Sequence, residues 1–240
     1  MRKTLIYTLF ILIYGATAFG QNYSSIEILI KSINYHDPNG LLLSGKAEFD
    51  FRETRPKADD RYSKVILDPR HEYYEINRTV DNKDIVLKRM GNEYTIMLDG
   101  SEDISQADIE KYRLTEKRAD FMKNYYRYLW FAPMVLLDPG TILDETVVDK
   151  DFFGLSVKEI KVTYKESVGK DIWYFYFEPI TFRMVGYRFY HKEANNDGEY
   201  ILLEDEATFD SVKLPKIRKW YTHKEDKFLG ADHLISFKVE

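Results

Sequence analysis

The sequence predicts an α+β fold that is mainly β, in which a curved antiparallel sheet, or incomplete β-barrel, packs helices in its concave face. Two sets of short segments with alternating polarity, separated by turn-forming residues at even spacing, indicate antiparallel strands. Aromatic residues make up 15% of the 240 residues, which favours strands over a helical bundle. Between the two sets, residues 122–134 carry a wide apolar helical face that must be buried. A sheet curved around a helix satisfies this requirement.

The first twenty residues have the pattern of a secretory signal peptide. Arg2 and Lys3 supply positive charge, residues 5–14 form an apolar run, and residues 16–20 are mostly small. The apolar run is well short of the roughly 20 residues that span a bilayer, which favours a cleaved signal over a membrane anchor. We therefore expect an exported, periplasmic protein, with outer-membrane association left open, whose mature residues 21–240 form one domain without a transmembrane segment.

The composition excludes several classes of protein. The chain contains no cysteine, so neither a disulfide nor a lipid-modified N-terminal cysteine can form. Its formal net charge is −5, from 35 basic and 40 acidic residues. An acidic chain without a basic cluster argues against nucleic acid as a partner.

The N-terminal half begins with a short helix and continues as strands. Ser24 and Glu27 stand three residues apart in the pattern of a capping box, and the helix is expected to end near residue 35. Residues 36–40 contain proline, asparagine and glycine, which indicates a turn. Residues 46–52 alternate between apolar and charged side chains, as in a half-buried strand. Four further strands are predicted over residues 62–67, 71–80, 85–89 and 94–98.

The C-terminal half begins with a helical segment over residues 105–131, divided in two near residue 114. A turn at residues 138–140 returns the chain to strands. Residues 172–177 are apolar or aromatic at every position, so we expect both faces of this strand to be covered, one by helix and the other by a further layer. The predicted strands are 146–148, 156–164, 172–178, 182–190, 199–209, 216–221 and 229–237.

Short segments in three parts of the chain resemble a family of exported proteins of unknown function from Bacteroidota-type Gram-negative bacteria. They are YHDPNG at residues 35–40, LWFAPM at 129–134 with DPGT at 138–141, and GYRF at 186–189 leading to LPK at 214–216. The order of elements is more distantly similar to LolA-like and LolB-like periplasmic lipoprotein carriers. That resemblance implies a half-barrel closed by helices, with an apolar cavity for acyl chains. In that group the binding surface is a diffuse apolar lining, so the resemblance implies no individual functional residue.

Candidate catalytic and metal-binding residues are few. His36 and Asp37 could form an acid/base pair, but an aspartate before Pro38 in a turn is ordinary capping chemistry, and we favour that structural role. His223 and His233 lack the spacing of a metal site. We therefore predict neither an enzyme nor a metal or cofactor site.

An aromatic set is the strongest candidate for a ligand-binding surface. Its members lie on the helical segment and on the apolar strand, and they either fill a core or line a cavity; the sequence favours neither. Arg127, one helical step from the apolar face, could meet an anionic head group or remain solvated. The candidate residues are Tyr125, Trp130, Phe131, Met134, Trp173, Phe175 and Phe177, with Arg127 beside them.

The favoured hypothesis is a periplasmic, non-catalytic carrier that holds a lipid or the acyl chain of a lipoprotein in an apolar cavity. The alternative is an envelope structural or interaction module with a filled aromatic core and a protein partner. A hydrolase that uses His36 and Asp37 is the least favoured hypothesis. In addition, residues 210–212 resemble a short acceptor pattern for O-glycosylation at Ser211 in the same bacterial group.

Overall fold

Twelve strands form one antiparallel sheet in the computed structural model, which describes residues 23–240. The predicted signal peptide at residues 1–20 lies outside the described residues. The predicted mainly-β fold class is confirmed. The strands are Ala47–Arg55 (β1), Ala58–Asp68 (β2), Tyr73–Val80 (β3), Lys83–Met90 (β4), Glu93–Leu98 (β5), Thr141–Phe152 (β6), Leu155–Tyr164 (β7), Ile172–Phe177 (β8), Met184–Tyr190 (β9), Glu199–Phe209 (β10), Val212–Thr222 (β11) and Phe228–Val239 (β12).

The sheet is built from two meanders joined by the first and last strands. β1 to β5 follow one another in space, as do β6 to β12, and β1 pairs with β12 in antiparallel register. β5 and β6 are therefore the two edges, and the helical segment connects them. Register shifts at Asp50/Phe51, Tyr176/Phe177 and Trp220/Tyr221 mark bulges, which increase twist and curvature.

Every predicted strand is present, but several are longer than the sequence indicated, β2, β6 and β11 by four or more residues. The strand predicted at residues 146–148 extends over all of β6. The side chains of β6 are mostly exposed, so its sequence lacks the apolar alternation from which strands are predicted. β11 begins four residues early and includes Pro215. This part of β11 pairs with β10 alone, because pairing with β12 starts at Ile217, and an unpaired side tolerates a residue without an N–H group.

Residues 23–240 contain four helices, of which three follow the predicted signals and the short second one was not predicted. The side chain of Ser24 accepts a hydrogen bond from the N–H of Glu27, and the Glu27 carboxylate accepts from the N–H of Ser24, so the predicted capping box is confirmed. The predicted break near residue 114 is also confirmed, because Thr115 caps a new helix by accepting from the N–H of Arg118. The helices are Ser25–His36 (α1), Leu41–Ser44 (α2), Gln106–Tyr112 (α3) and Glu116–Phe131 (α4), and a 3₁₀ turn follows at Met134–Leu137.

α1 and α4 pack in the concave face of the sheet, as predicted. Ile28 and Leu29 of α1 are fully buried in the same apolar cluster as Trp130 of α4. Trp130 stacks on Phe49 of β1, with ring centroids 5.2 Å apart, and lies 5.5 Å from the ring of Phe51. These contacts fix the C-terminal half of α4 against the middle of the sheet.

β8 is covered on both faces, but not by two separate layers. Phe175 and Phe177 join the core under α4, whereas Tyr176 faces outward. The outer cover is the tip of the β6–β7 hairpin, where Phe152 stacks on Tyr176 at 3.9 Å between centroids. Gly186 of β9 permits this approach, because a Cβ atom there would overlap the Phe152 ring. The expected second layer is thus supplied by the sheet itself.

Candidate ligand-binding site

A cavity of about 750 Å³ opens at one end of the concave face, between α4 and the sheet. Its wall is formed by the end of β1, the starts of β8, β10 and β12, and the ends of β9 and β11. The volume lies within the range of about 300–1,000 Å³ that is typical of small-molecule sites. The apolar part of the wall is aromatic and aliphatic, and includes Tyr125, Tyr128, Leu129, Trp173, Phe189 and Trp220.

α4 contributes one side of the cavity through its helical periodicity. Tyr128 and Leu129 follow Tyr125 by three and four residues, so all three side chains lie on one face of the helix. The Tyr128 ring lies 5.1 Å from that of Trp173, and its hydroxyl is hydrogen-bonded to the hydroxyl of Tyr164. Burial raises the pKa of Tyr128 well above its usual range, so the phenol stays neutral. This side of the wall is apolar, and the Tyr128 hydroxyl is already paired.

The predicted aromatic set is divided between the cavity and the core. Tyr125 and Trp173 line the cavity. Arg127 lies in an adjacent groove, where its guanidinium forms an ion pair with Asp138. The other five members of the aromatic set lie in the packed core and not in the cavity wall. They are Trp130, Phe131, Met134, Phe175 and Phe177, each at most 2% exposed.

The deep part of the wall carries an ion pair. Glu53 at the end of β1 is 8% exposed and accepts hydrogen bonds from Arg61 Nε, at 2.6 Å, and from Ser63 Oγ, at 2.9 Å. Arg78 lies 3.6 Å from the same carboxylate. Burial alone would raise the pKa of Glu53, but the bond from Arg61 and the charges of both arginines outweigh it and lower the pKa. Glu53 is therefore an ionised, fully paired group.

Asp232 is the second buried carboxylate of the wall. Its Oδ2 accepts a hydrogen bond of 2.9 Å from the indole Nε1 of Trp220, which fixes that ring in the wall. Burial, together with the negative charge of Glu53, raises the pKa of Asp232 to about 6, against the opposing effects of Trp220 and Arg218. The deep wall therefore changes its charge in the mildly acidic range.

The mouth of the cavity is apolar on two sides. Phe121 of α4 is 55% exposed, and Val168, in the loop between β7 and β8, is 57% exposed. Large apolar side chains at an open rim favour entry of an apolar ligand over retention of water.

His36 and Asp37 serve the backbone and lie outside the cavity. The N–H of Met184 donates to His36 Nε2 at 3.1 Å, so Nδ1 carries the proton and donates to the carbonyl oxygen of Lys213 at 2.8 Å. The Asp37 carboxylate accepts from the N–H groups of Leu41 and Leu42. With both side chains engaged in this way, neither is available for acid/base chemistry on a substrate.

Other candidate features are also placed by the structure. Within residues 23–240, no cluster of three or more histidine and acidic side chains has the arrangement of a metal site, and no helix has the length and apolarity needed to cross a membrane. Ser211 lies in the β10–β11 turn, where its hydroxyl accepts a hydrogen bond from Asn39. O-glycosylation at this position stays a prediction.

Several cavity residues were missed by the sequence interpretation, among them Tyr128, Tyr187 and Trp220 of the apolar wall and Asp232 of the deep wall. Tyr187 faces inward beside Phe175, its partner in the β8–β9 register, so strand pairing could have identified it. Asp232 had no comparable signal. An aspartate in a strand carries no indication that it will be buried in a cavity wall.

The fold is similar to that of solved proteins of the LolA superfamily. A LolA superfamily protein of Nitrosomonas europaea is 12% identical with a TM-score of 0.55, over 91% of this chain and 94% of that one. A domain described as an outer membrane lipoprotein-sorting protein, from Vibrio parahaemolyticus, is 9% identical with a TM-score of 0.51, over 90% and 92% of the two chains. At these identities the likeness concerns the fold alone.

The expected LolA-like architecture is thereby confirmed, whereas the Bacteroidota-type origin inferred from short motifs stays a prediction. No curated protein matches the chain. The profile of one family covers nearly all of it, from residue 2 to residue 236. The chain therefore belongs to the family of unknown function DUF6503.

Proposed function

We propose that the protein is an exported, non-catalytic carrier that holds an acyl-type ligand in the cavity between α4 and the sheet. The observation that carries this proposal is the open cavity of about 750 Å³ with an aromatic wall. Each methylene group moved from water into such a wall contributes about 0.8 kcal/mol. An acyl chain is therefore the ligand from which this site gains most.

The ligand would leave through the mouth of the cavity, and movement of the wall would widen this exit. α4 forms one whole side of the cavity through Tyr125, Tyr128 and Leu129, and the rest of the wall belongs to the sheet and its loops. A shift of α4 away from the strands would expose the chain to solvent or to an acceptor. Because Trp130 packs the other end of the helix in the core, the end of α4 that carries Phe121 would move most.

The proposed location is the periplasm. The predicted signal peptide at residues 1–20 supports export. The similarity in fold to a protein described as acting in outer membrane lipoprotein sorting supports a role in the same compartment. The acyl chain of a membrane lipid or lipoprotein would be the cargo there.

The test is native mass spectrometry of the mature protein purified from its own envelope, followed by lipid analysis of the extract. We expect a stoichiometric acyl lipid. Leu129→Trp enlarges a side chain of the cavity wall and should abolish this lipid, while Ala194→Trp, at an exposed position of the β9–β10 connection, should retain it. A bare protein that also fails to take up a fluorescent fatty acid would refute the carrier function.

A second candidate function is docking of an envelope protein partner at the β6 edge. β6 is twelve residues long, and on its outer side it pairs with no other described strand. Ile142 and Val148 are each more than 40% exposed along it. Such an edge can accept an extended segment of another chain. Co-purification of a protein in place of a lipid would favour this function.

A further inference from the structure

The ionic side chains of the cavity wall are mostly paired with one another. Glu53 is paired with Arg61, and Asp232 accepts its hydrogen bond from Trp220. At the mouth, Asp171 Oδ1 lies 2.8 Å from His191 Nδ1, and this hydrogen bond raises the pKa of the imidazole. Each of these groups has a hydrogen-bond partner within the protein.

Two ionic residues of the wall are exceptions. Arg55, the last residue of β1, and Glu199, the first residue of β10, line the cavity and have no hydrogen-bonding or ion-pair partner among the described residues. Glu199 is only partly exposed, and burial raises its pKa against the effect of His191. A partly buried carboxylate without a hydrogen-bonding partner is unfavourable, because it loses hydration and gains only the charge of His191 in return. The wall thus presents one free cation and one free carboxylate.

The sheet places these two charges on different sides of the mouth. β1 is followed in space by β12, β11 and then β10, so three strand spacings, or roughly 14 Å along the sheet, separate Arg55 from Glu199. Leu229 and Trp220 lie on the intervening strands and form apolar wall between them. The long side chains of arginine and glutamate can narrow this gap across the opening. The mouth therefore has a positive side and a negative side, and the wall behind it is aromatic around Trp173 and Tyr128.

We propose that the cavity takes an acyl lipid with a zwitterionic head group, whose anionic part binds Arg55 and whose ammonium binds Glu199. This inference rests on the carrier function proposed above and specifies the class of its ligand. The acyl chain enters along Trp173 and Tyr128, and the head group stays at the mouth. A purely anionic head group would leave Glu199 unpaired and repelled, and a purely cationic one would do the same to Arg55.

The test uses three amphiphiles with the same myristoyl or myristyl chain, titrated below their aggregation limits into the delipidated full-length mature protein. They are lysophosphatidylethanolamine, which is zwitterionic, lysophosphatidylglycerol, which is anionic, and an alkyltrimethylammonium, which is cationic. We expect the zwitterion to bind about fivefold more tightly than either of the others, since a partly exposed charge pair contributes about 1 kcal/mol. Calorimetry or displacement of a fluorescent fatty acid measures the three affinities.

Substitutions then assign each charge. Glu199→Gln should reduce the preference for the zwitterion over the anion about fivefold, and Arg55→Gln should reduce its preference over the cation by a similar factor. Glu145→Gln and Arg113→Gln, at exposed positions outside the cavity wall, are the matched controls and should change neither preference.

The outcomes separate the two proposals. Equal affinity for all three amphiphiles, or tightest binding of the anion or the cation, overturns the head-group assignment and leaves the carrier function standing. An equal loss of all three affinities in both variants also overturns the assignment. Failure of every amphiphile to bind overturns the carrier function and the assignment together.

Discussion

The two ends of the concave face differ in how they are filled, although α4 runs through both. At the closed end, near the starts of β9 and β11, Trp130, Phe131 and Met134 are buried in a continuous core. At the open end, Tyr125 and Tyr128 of the same helix border the cavity. One amphipathic helix thus packs in a solid core over part of its length and borders a cavity over the rest.

The difference arises from a second covering element. The C-terminal end of α1 is held at the closed end by His36, whose imidazole bonds the backbone at Lys213 and Met184, and Leu42 of α2 is fully buried nearby. Of the described residues, none of α1 or α2 lines the cavity. Where a second helical element is present the space is closed, and where α4 covers the sheet by itself a cavity remains.

The largest expected effect is the loss of Trp130 at the closed end. Trp130 is fully buried and stacks on Phe49, and the Cζ atom of Arg218 lies 3.8 Å from the centroid of its ring. Trp130→Ala should therefore lower the free energy of unfolding by about 3–5 kcal/mol, measured by urea denaturation. Trp173→Ala, its counterpart at the open end, should cost less than half as much, because solvent already reaches that ring. Equal losses would mean that both ends are packed alike.

The next largest effect is a loss of stability at acidic pH, caused by His36 at the closed end. Burial lowers the pKa of His36 to about 4, although its bond to the Lys213 carbonyl opposes this shift. The unfolded chain, with a histidine pKa of about 6.5, binds the proton more readily, so stability is complete above that pH and falls as the pH drops towards 4. The loss should reach about 3 kcal/mol.

His36→Gln should remove this dependence, since an amide has no proton to gain in this range. Urea denaturation of both proteins between mildly alkaline and acidic pH measures the difference. Parallel stability curves would show that His36 is not the acid-sensitive group.

The open end should respond to pH in the opposite sense. The pKa of Asp232 is raised to about 6, above the value of ~3.9 for an unfolded aspartate. The folded state therefore binds the proton more tightly, and stability falls as the pH rises through this window. Asp232→Asn should raise the free energy of unfolding at slightly alkaline pH by about 2 kcal/mol, because an amide keeps the acceptor for Trp220 without the buried charge. Urea denaturation measures the change, and a less stable Asp232→Asn variant at that pH would refute the destabilising role of the Asp232 charge.

The smallest effect is expected at Arg127. Its ion pair with Asp138 is partly exposed and lies in the groove beside the cavity. Arg127→Ala should cost at most about 1 kcal/mol of stability. Lipid uptake should be retained, as measured with a fluorescent fatty acid. A marked loss of uptake would restore Arg127 as a head-group ligand and extend the binding site beyond the open end.

The sequence determined most of the secondary structure and the class of fold, although it did not predict α2. Apolar alternation and turn residues located all the strands, the capping box located α1, and the wide apolar face of α4 required a curved sheet around it. These features depend on neighbours within a few residues, which is why they can be read from a single chain. The shared aromatic character of the core and of the cavity wall was also evident.

Only the tertiary structure decided which aromatic residues pack and which line the cavity. Trp130 and Trp173 have the same chemistry and lie on apolar faces, yet they differ because α1 and α2 reach one end of the sheet and not the other. Likewise, Arg55 and Glu199 are far apart in sequence, and they share a cavity mouth only because β1 pairs with β12. Periodicity shows that a side chain faces inward, but whether space remains beside it depends on every element that covers the same face.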